Sequence, residues 1–306
     1  MVGSIAFDSV RTPFGERERM LGGSAVHFSL AASLFTRARV VGPVGDDFGD
    51  AEYAVLHERG VDTSDVERVS GGRTFFWRGR YEYDLNTAHT EDTQLGVFGD
   101  FEPKLSDDSR NAETVFLANI QPDLQRAVRA QCANARLVGL DSMNLWIETA
   151  RDSLLQAIRE VDLVFMNDAE IRMLTERPNL VRAARELLGA GPRAVVAKQG
   201  EYGAALFSGD RYFSLPAYPL ETVVDPTGAG DSFAGGFMGY LDSRGPDAAD
   251  DDGEIRSAMT YGSVLASFNV EGFGTERVQR LSRDEIERRY EEFRSITALS
   301  EIPAGS

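Results

Sequence analysis

The 306-residue chain has a single cysteine and only two lysines. Cys132 has no partner for an internal disulfide, and no Cys/His cluster carries the spacing of a structural zinc site, so Cys132 reads as a small buried hydrophobe. The lysines are Lys104 and Lys198, so nearly all positive charge is arginine. Asp plus Glu outnumber Lys plus Arg by 49 to 32, a net charge of −17. Phosphate contacts need clustered cations, so neither a nucleic acid nor an anionic membrane is an expected partner. An acidic, lysine-poor surface suits concentrated salt, where self-repulsion is screened; codon bias toward arginine leaves the same composition. No apolar run approaches the ~20 residues that cross a bilayer. Met1-Val2-Gly3-Ser4 leads into a short strand rather than a cationic leader, and a soluble, cytoplasmic protein is expected.

Several site signatures are missing too. There is no Gly-x-x-x-x-Gly-Lys-Ser/Thr loop and no His-Glu-x-x-His helix. Phe233 stands where a dinucleotide fingerprint after Gly228 and Gly230 needs its third glycine, and Ala234 stands where a serine-hydrolase elbow needs glycine. The acidic run Asp247–Glu254 fails as a calcium loop, because Ala248 takes the first ligand position and Met259 the twelfth. It reads as a solvated loop.

What is present is alternation. With 42% hydrophobic residues the chain can bury a sizeable core. Short Val/Ile/Leu-rich runs at 39–41, 115–118, 137–140, 163–166 and 194–197 alternate with amphipathic stretches around 24–35, 49–59, 122–133, 148–159, 168–175 and 179–189. Further helical patterns cover 254–270 and 282–297, and the last few residues read as a frayed tail. This predicts one α/β domain over 1–306, a mainly parallel central sheet with helices on both faces. Residues 73–98 break the pattern with alternating aromatic and polar residues around the turn-like Asp84-Leu85-Asn86. They predict a hairpin which, with an extended piece at 10–20, forms a small separate sheet. That sheet would serve as a substrate lid, a homodimer contact, or both.

The organising stretch is Val224–Leu241. Pro226 ends an extended run, Gly228 and Gly230 allow a tight turn, and a helix should start near Asp231. The N–H groups of Gly228, Ala229, Gly230 and Asp231 would then face an anion at a helix N-terminus. Asp231 is poorly placed to bind phosphate but well placed to take a proton from an attacking hydroxyl. Gly235, Gly236 and Gly239 each cost about 1 kcal/mol against alanine in an exposed helix, so close packing is expected around them.

The string Asp225-Pro226-Thr227-Gly228-Ala229-Gly230-Asp231 closely resembles the second signature of the ribokinase, or PfkB, family of carbohydrate kinases. The rest of the chain resembles that family in order. The resemblance implies a ribokinase-like fold with a small β lid and ATP-dependent transfer to a hydroxymethyl group of a small sugar, with Asp231 as base and residues 228–231 as anion hole. A nucleoside is the rival acceptor, and a non-catalytic sugar- or nucleoside-binding regulator the rival class. Gly3–Asp8 resembles the first strand, which would make Asp8 an acceptor for substrate hydroxyls. Leu21-Gly22-Gly23-Ser24-Ala25-Val26-His27 resembles the first signature, with Gly22 and Gly23 close to substrate and His27 where the family usually has asparagine, a donor to a hydroxyl. Asp141-Ser142-Met143-Asn144 resembles a substrate turn, implicating Asp141 and Asn144, with Asn119 and Gln121 nearby. Asn167 and Glu170 match the Asn-x-x-Glu motif that holds Mg²⁺ largely through water, and also fit an N-capping box. Lys198, Gly200 and Gly203 resemble the nucleotide-side turn. Asp225 with the carbonyls of Thr227, Val270, Gly272 and Gly274 would hold K⁺. The aromatics Phe75, Phe76, Trp77, Tyr81 and Tyr83 could stack on a base, though alternate positions face opposite sides.

Overall fold

In the computed structural model, which describes residues 1–245 and 247–298, the short apolar runs become strands. In chain order they are β1 (Ala6–Thr12), β2 (Gly15–Gly22), β3 (Arg39–Val44), β4 (Asp62–Arg68), β5 (Phe75–Tyr81), β6 (Ala88–Gln94), β7 (Thr114–Leu117), β8 (Leu137–Asp141), β9 (Leu163–Asn167), β10 (Ala194–Lys198), β11 (Ala204–Ser208) and β12 (Arg211–Leu215). The main sheet runs β12-β11-β10-β9-β8-β7, with β7 to β10 parallel and β11 and β12 antiparallel at one edge. Val2 bridges Leu117 of β7 and Val41 of β3, which pairs with β4 and carries the sheet onward. The strands β8 to β10 are buried almost throughout, as strands covered on both faces must be.

Period-two alternation divides the core into two layers. Phe116, Phe165 and Val196 face the helices Ser24–Ala32, Ala229–Arg244 and Asp252–Asn269, whereas Leu117, Val164 and Val195 face Pro122–Gln131, Arg151–Arg159 and Leu180–Leu188. No helix among the described residues is long and apolar enough to cross a membrane.

A second sheet of order β2-β1-β5-β6 contains the segments predicted to stand apart. β1 pairs antiparallel with β2 and parallel with β5, and β5 with β6 forms the hairpin. Its turn includes Leu85 at φ 57°.

Three local expectations need correction. The predicted first strand divides between the sheets: Met1–Gly3 lies in the main sheet, and Ala6 onward belongs to the second. The helix predicted over 148–159 breaks at Ala150 (φ −143°), giving Asn144–Thr149 and Arg151–Arg159. The glycine-rich helix begins at Ala229, two residues early, because Gly228 already supplies the left-handed turn. The predicted tail from residue 299 lies outside the described residues.

The helix glycines pack against backbone, as their cost required. A Cβ on Gly235 would overlap the Phe28 carbonyl, one on Gly239 would lie 2.9 Å from Ala32 Cα, and one on Gly236 3.0 Å from the Tyr261 carbonyl oxygen. Gly235→Ala should therefore lower stability although alanine is the better helix former by about 1 kcal/mol. Urea unfolding measures this, and a stabilised variant would contradict the packing account.

Candidate active site

Gly228 sits at φ 75° and ψ 1°, a left-handed conformation that glycine adopts without steric cost. A Cβ there would also overlap the His27 ring. The helix Ala229–Arg244 thus starts without a side-chain cap, and its Ser232 N–H donates to the Gly228 carbonyl at 2.8 Å. Ala229 departs from the expected set of open amides: its N–H donates to the Pro226 carbonyl at 3.2 Å. Among the described residues the N–H groups of Gly228, Gly230 and Asp231 have no protein acceptor. Three aligned amides at a helix N-terminus form a site for an oxyanion.

Beneath this turn is a buried polar hub. Asn269, the last residue of its helix and 0% exposed, donates from Nδ2 to the Thr227 carbonyl at 2.7 Å. That bond fixes the amide orientation, so Asn269 Oδ1 accepts from Ser232 Oγ at 3.0 Å and faces His27 Nδ1 at 3.0 Å. His27 must then carry its proton on Nδ1, because two acceptors cannot bond each other. Burial pushes its pKa down to about 4, so the ring is neutral. Its Nε2 is buried without a partner and presents a lone pair. The expectation that His27 donates to a substrate hydroxyl is thereby corrected: it supports Gly228 from below, and its unpaired nitrogen can only accept.

Two groups of ionisable side chains meet here. Asp8 is 5% exposed, with its Oδ2 against Gly22 and accepting from the Gly23 N–H at 3.3 Å; burial, then Asp225 and Asp231, push its pKa up to about 7. Asp231 is likewise pushed up to about 7 by burial and Asp141, with Lys198 opposing. Its carboxylate accepts no hydrogen bond from any described residue. The second group centres on Lys198, whose Nζ donates to Asp141 Oδ2 at 2.6 Å and lies 3.1 Å from where a Gly230 Cβ would be. Burial would lower the Lys198 pKa, but Asp141, Glu170 and Asp231 outweigh it and hold it above the usual lysine value.

Asp141, expected at the substrate, has both oxygens engaged, one by Lys198 and one by the Ser142 N–H at 2.8 Å. Asn144 is exposed at the start of its helix. Asn119 holds Trp146 Nε1 at 2.9 Å, and Gln121 caps the helix Pro122–Gln131, so both act in structure. Gly200 (φ 57°) and Gly203 (φ 99°) flank a single turn before β11.

The donor sets for metal ions differ in fit. Asn167 and Glu170 form a full capping box, with Glu170 N–H on Asn167 Oδ1 at 2.7 Å and Asn167 N–H on Glu170 Oε2 at 2.8 Å. Glu170 Oε1 remains open, and burial pushes the carboxyl up to about 7. One open carboxylate oxygen beside an amide fits a hydrated Mg²⁺, which dehydrates reluctantly. The set the resemblance assigns to K⁺ is partly engaged by hydrogen bonds. Asp225 accepts from the Thr227 and Gly274 N–H groups, both at 2.9 Å, the Thr227 carbonyl is taken by Asn269, and the Val270 carbonyl accepts from the Val224 N–H at 2.7 Å. A carbonyl oxygen that accepts one hydrogen bond keeps a second lone pair, so these bonds do not decide whether a cation is held here.

Sequence reasoning missed Asn269 and the contacts between sheets. Tyr81 Oη lies 3.2 Å from Thr227 Oγ1, and Asn86 Nδ2 donates to Glu201 at 3.1 Å, so the hairpin touches both the anion turn and the turn before β11. The signal for Asn269 was a lone amide closing an apolar helical run, directly before Val270.

Residues 8–280 match the pfkB family carbohydrate kinase. The cytidine kinase of Thermococcus kodakarensis is 30% identical over 253 residues, 80% of this chain and 88% of that protein. The nucleoside kinase of Methanothermobacter thermautotrophicus is 28% identical over 308 residues, 90% of each. The solved nucleoside kinase of Methanocaldococcus jannaschii, an archaeal member of the ribokinase family, superposes with a TM-score of 0.77 at 21% identity, covering 95% of this chain and 97% of that one, and shares its fold. With the open amide turn and its carboxylate in place, this chain belongs to the pfkB family of carbohydrate kinases, which phosphorylate an alcohol group at the expense of ATP.

Proposed function

We propose that the chain transfers the γ-phosphoryl group of ATP to the primary hydroxymethyl of a small, uncharged sugar or nucleoside, with Asp231 as general base. The observation that carries this is Asp231 itself, a carboxylate free of protein hydrogen bonds beside three open amides, with its pKa raised to about 7. A base poised near the working pH removes a proton most effectively as the alcohol attacks. The amides of Gly228, Gly230 and Asp231 stabilise the charge developing on the transferred group, and Lys198 adds a fixed positive charge beside them. Lys198, Gly200 and Gly203 line the nucleotide side. Glu170 and Asn167 would hold Mg²⁺ through water, and the ion would supply positive charge to the phosphates. Asp8, with Gly22 and Gly23, receives the acceptor's hydroxyls. The second sheet acts as the lid of a single domain, closing through Tyr81 on Thr227, and the protein works in the cytoplasm, where ATP is abundant.

An uncharged acceptor follows from the charges. Asp8, Asp225 and Asp231 surround the acceptor end, while Arg11, Arg78 and Arg80 of the lid are each paired with glutamates. A sugar acid or sugar phosphate would meet these carboxylates, and Arg17 of β2, across the ladder from Val10 and without a carboxylate partner among the described residues, is the lid cation left to offset them. In a coupled ADP-release assay, D-ribose, D-fructose and nucleosides should include the productive acceptors, and 2-keto-3-deoxygluconate and ribose phosphates should not. Turnover confined to the anionic acceptors would overturn this.

Asp231→Asn should lower kcat by roughly 10²–10⁴-fold, with ATP and acceptor binding retained by calorimetry; retained turnover would remove the base assignment. The wild-type kcat/KM should rise with pH through about 7, and this limb should vanish in Asp231→Asn. The same shift has a stability consequence. The folded state keeps a proton that the unfolded chain releases near 3.8, so stability from this group is lost as pH rises from there through about 7. Asp231→Asn should therefore raise Tm more at pH 8 than at pH 5, as read by differential scanning calorimetry.

A further inference from the structure

The inner face of the lid sheet carries a flat aromatic surface. Asp8 of β1 and Trp77 of β5 are direct partners in a parallel ladder, so their side chains project to the same side, followed by the pair Val10 and Gly79. Tyr81, two residues beyond Gly79, shares this side, and its hydroxyl meets Thr227 of the anion turn. This face therefore looks onto the phosphoryl-transfer site. A Cβ on Gly79 would overlap the six-membered ring of Trp77, so the indole lies flat along the strand in the space that Gly79 leaves. Trp77 Nε1 donates to Thr90 Oγ1 at 3.1 Å on β6, where Thr90 is the ladder partner of Gly79. The indole's only donor is thus satisfied, and its exposed feature is the π face.

The other lid aromatics are turned elsewhere. Phe76 projects from the opposite face and packs against the main core, Phe75 lies tilted against Phe98 with ring centroids 5.7 Å apart, and Tyr83 is 88% exposed. Trp77 alone is a flat ring between Asp8 and Tyr81.

Adjacent strands and a two-residue step place the indole about 8 Å from the Asp8 backbone. That is about one ring further than a furanose whose hydroxyls rest on Asp8, and on the lid side of it. Building on the kinase reading above, we propose that the acceptor is a nucleoside: the hydroxymethyl reaches Asp231, the ribose hydroxyls rest on Asp8, and the base stacks on Trp77. Stacking reads the plane of a base and not its edge, and the Trp77 N–H is occupied by Thr90, so pyrimidine and purine nucleosides are both accepted. Trp77 sets specificity and takes no part in the chemistry.

The test compares nucleosides with D-ribose in two readouts. In ADP-release kinetics, cytidine, uridine, adenosine and inosine should exceed D-ribose in kcat/KM. Trp77→Leu should raise the nucleoside KM roughly ten- to hundredfold with kcat little changed, leave D-ribose kinetics alone, and be largely rescued by Trp77→Phe. The chain has only two tryptophans, so Trp146→Phe leaves Trp77 as the sole indole emitter. Nucleosides, and not D-ribose, should quench its fluorescence. Equal kcat/KM for ribose and nucleosides, or an unchanged nucleoside KM in Trp77→Leu, would overturn the proposal. If no acceptor releases ADP, the kinase reading fails, and the quench decides the platform separately: a nucleoside-specific quench supports it and its absence overturns it.

Discussion

The site depends on one close contact, the packing of the His27 ring against the Cα of Gly228. Only a residue without Cβ tolerates that approach, and a left-handed residue at this point turns the chain into its helix without a capping side chain. The amides that such a cap would satisfy are left open to a ligand. Asn269 makes the contact rigid, since its single amide ties together the carbonyl before the turn, the hydroxyl of Ser232 within the helix, and the imidazole beneath. Every member of the hub is neutral, so no charge competes with an incoming phosphate. An imidazolium in place of the neutral ring would need a second acceptor that the core does not provide, and burial opposes it in any case.

Charge is organised around this neutral hub with unusual asymmetry. The chain is strongly acidic, yet one of its two lysines is partly buried at the centre, 19% exposed in its side chain and bonded to a carboxylate that is 6% exposed. Such a pair gains little net stability over apolar packing, whereas loss of one partner strands the other and costs about 3–5 kcal/mol. Its value is positional. Asp141 holds the ammonium under Gly230, and Lys198 in turn opposes the rise in the Asp231 pKa. Burial raises that carboxyl to about 7, where a modest change in its surroundings shifts it between acid and base. A base of this kind costs stability when ionised, which accords with function outweighing stability at such sites.

Local patterns carried much of this. The alternation of β-branched runs and amphipathic stretches predicted the sheet and its two helical layers, because each run is short, apolar and bounded by turn residues. The capping box at Asn167 and the helix opening after Gly228 were readable because they depend on residues within four positions of one another. What escaped depends on distant pairs. His27 and Asn269 are 242 residues apart, and Asp141 and Lys198 are 57 apart. Asp141 was therefore assigned to substrate and His27 to a donor role, since nothing local reveals that each is already engaged. The bond from Ala229 to Pro226 is local but turns on the exact left-handed geometry at Gly228, which glycine permits and does not dictate. The break at Ala150 is likewise hidden from the local pattern: the 148–159 period is continuous, yet Ala150 leaves helical geometry at φ −143°.

The lid completes the arrangement, because it is fastened where the chemistry occurs. Tyr81 bonds to Thr227, whose carbonyl is held by Asn269 and whose amide is held by Asp225. At the hairpin tip, Asn86 reaches Glu201 in the turn after Lys198. A lid joined at these two points cannot open without releasing a hydrogen bond to the residue directly before Gly228. The second sheet is thereby linked to the anion turn through side chains already in contact. Burial of the Tyr81 hydroxyl raises its pKa, so it remains protonated and can donate to Thr227 across the working range.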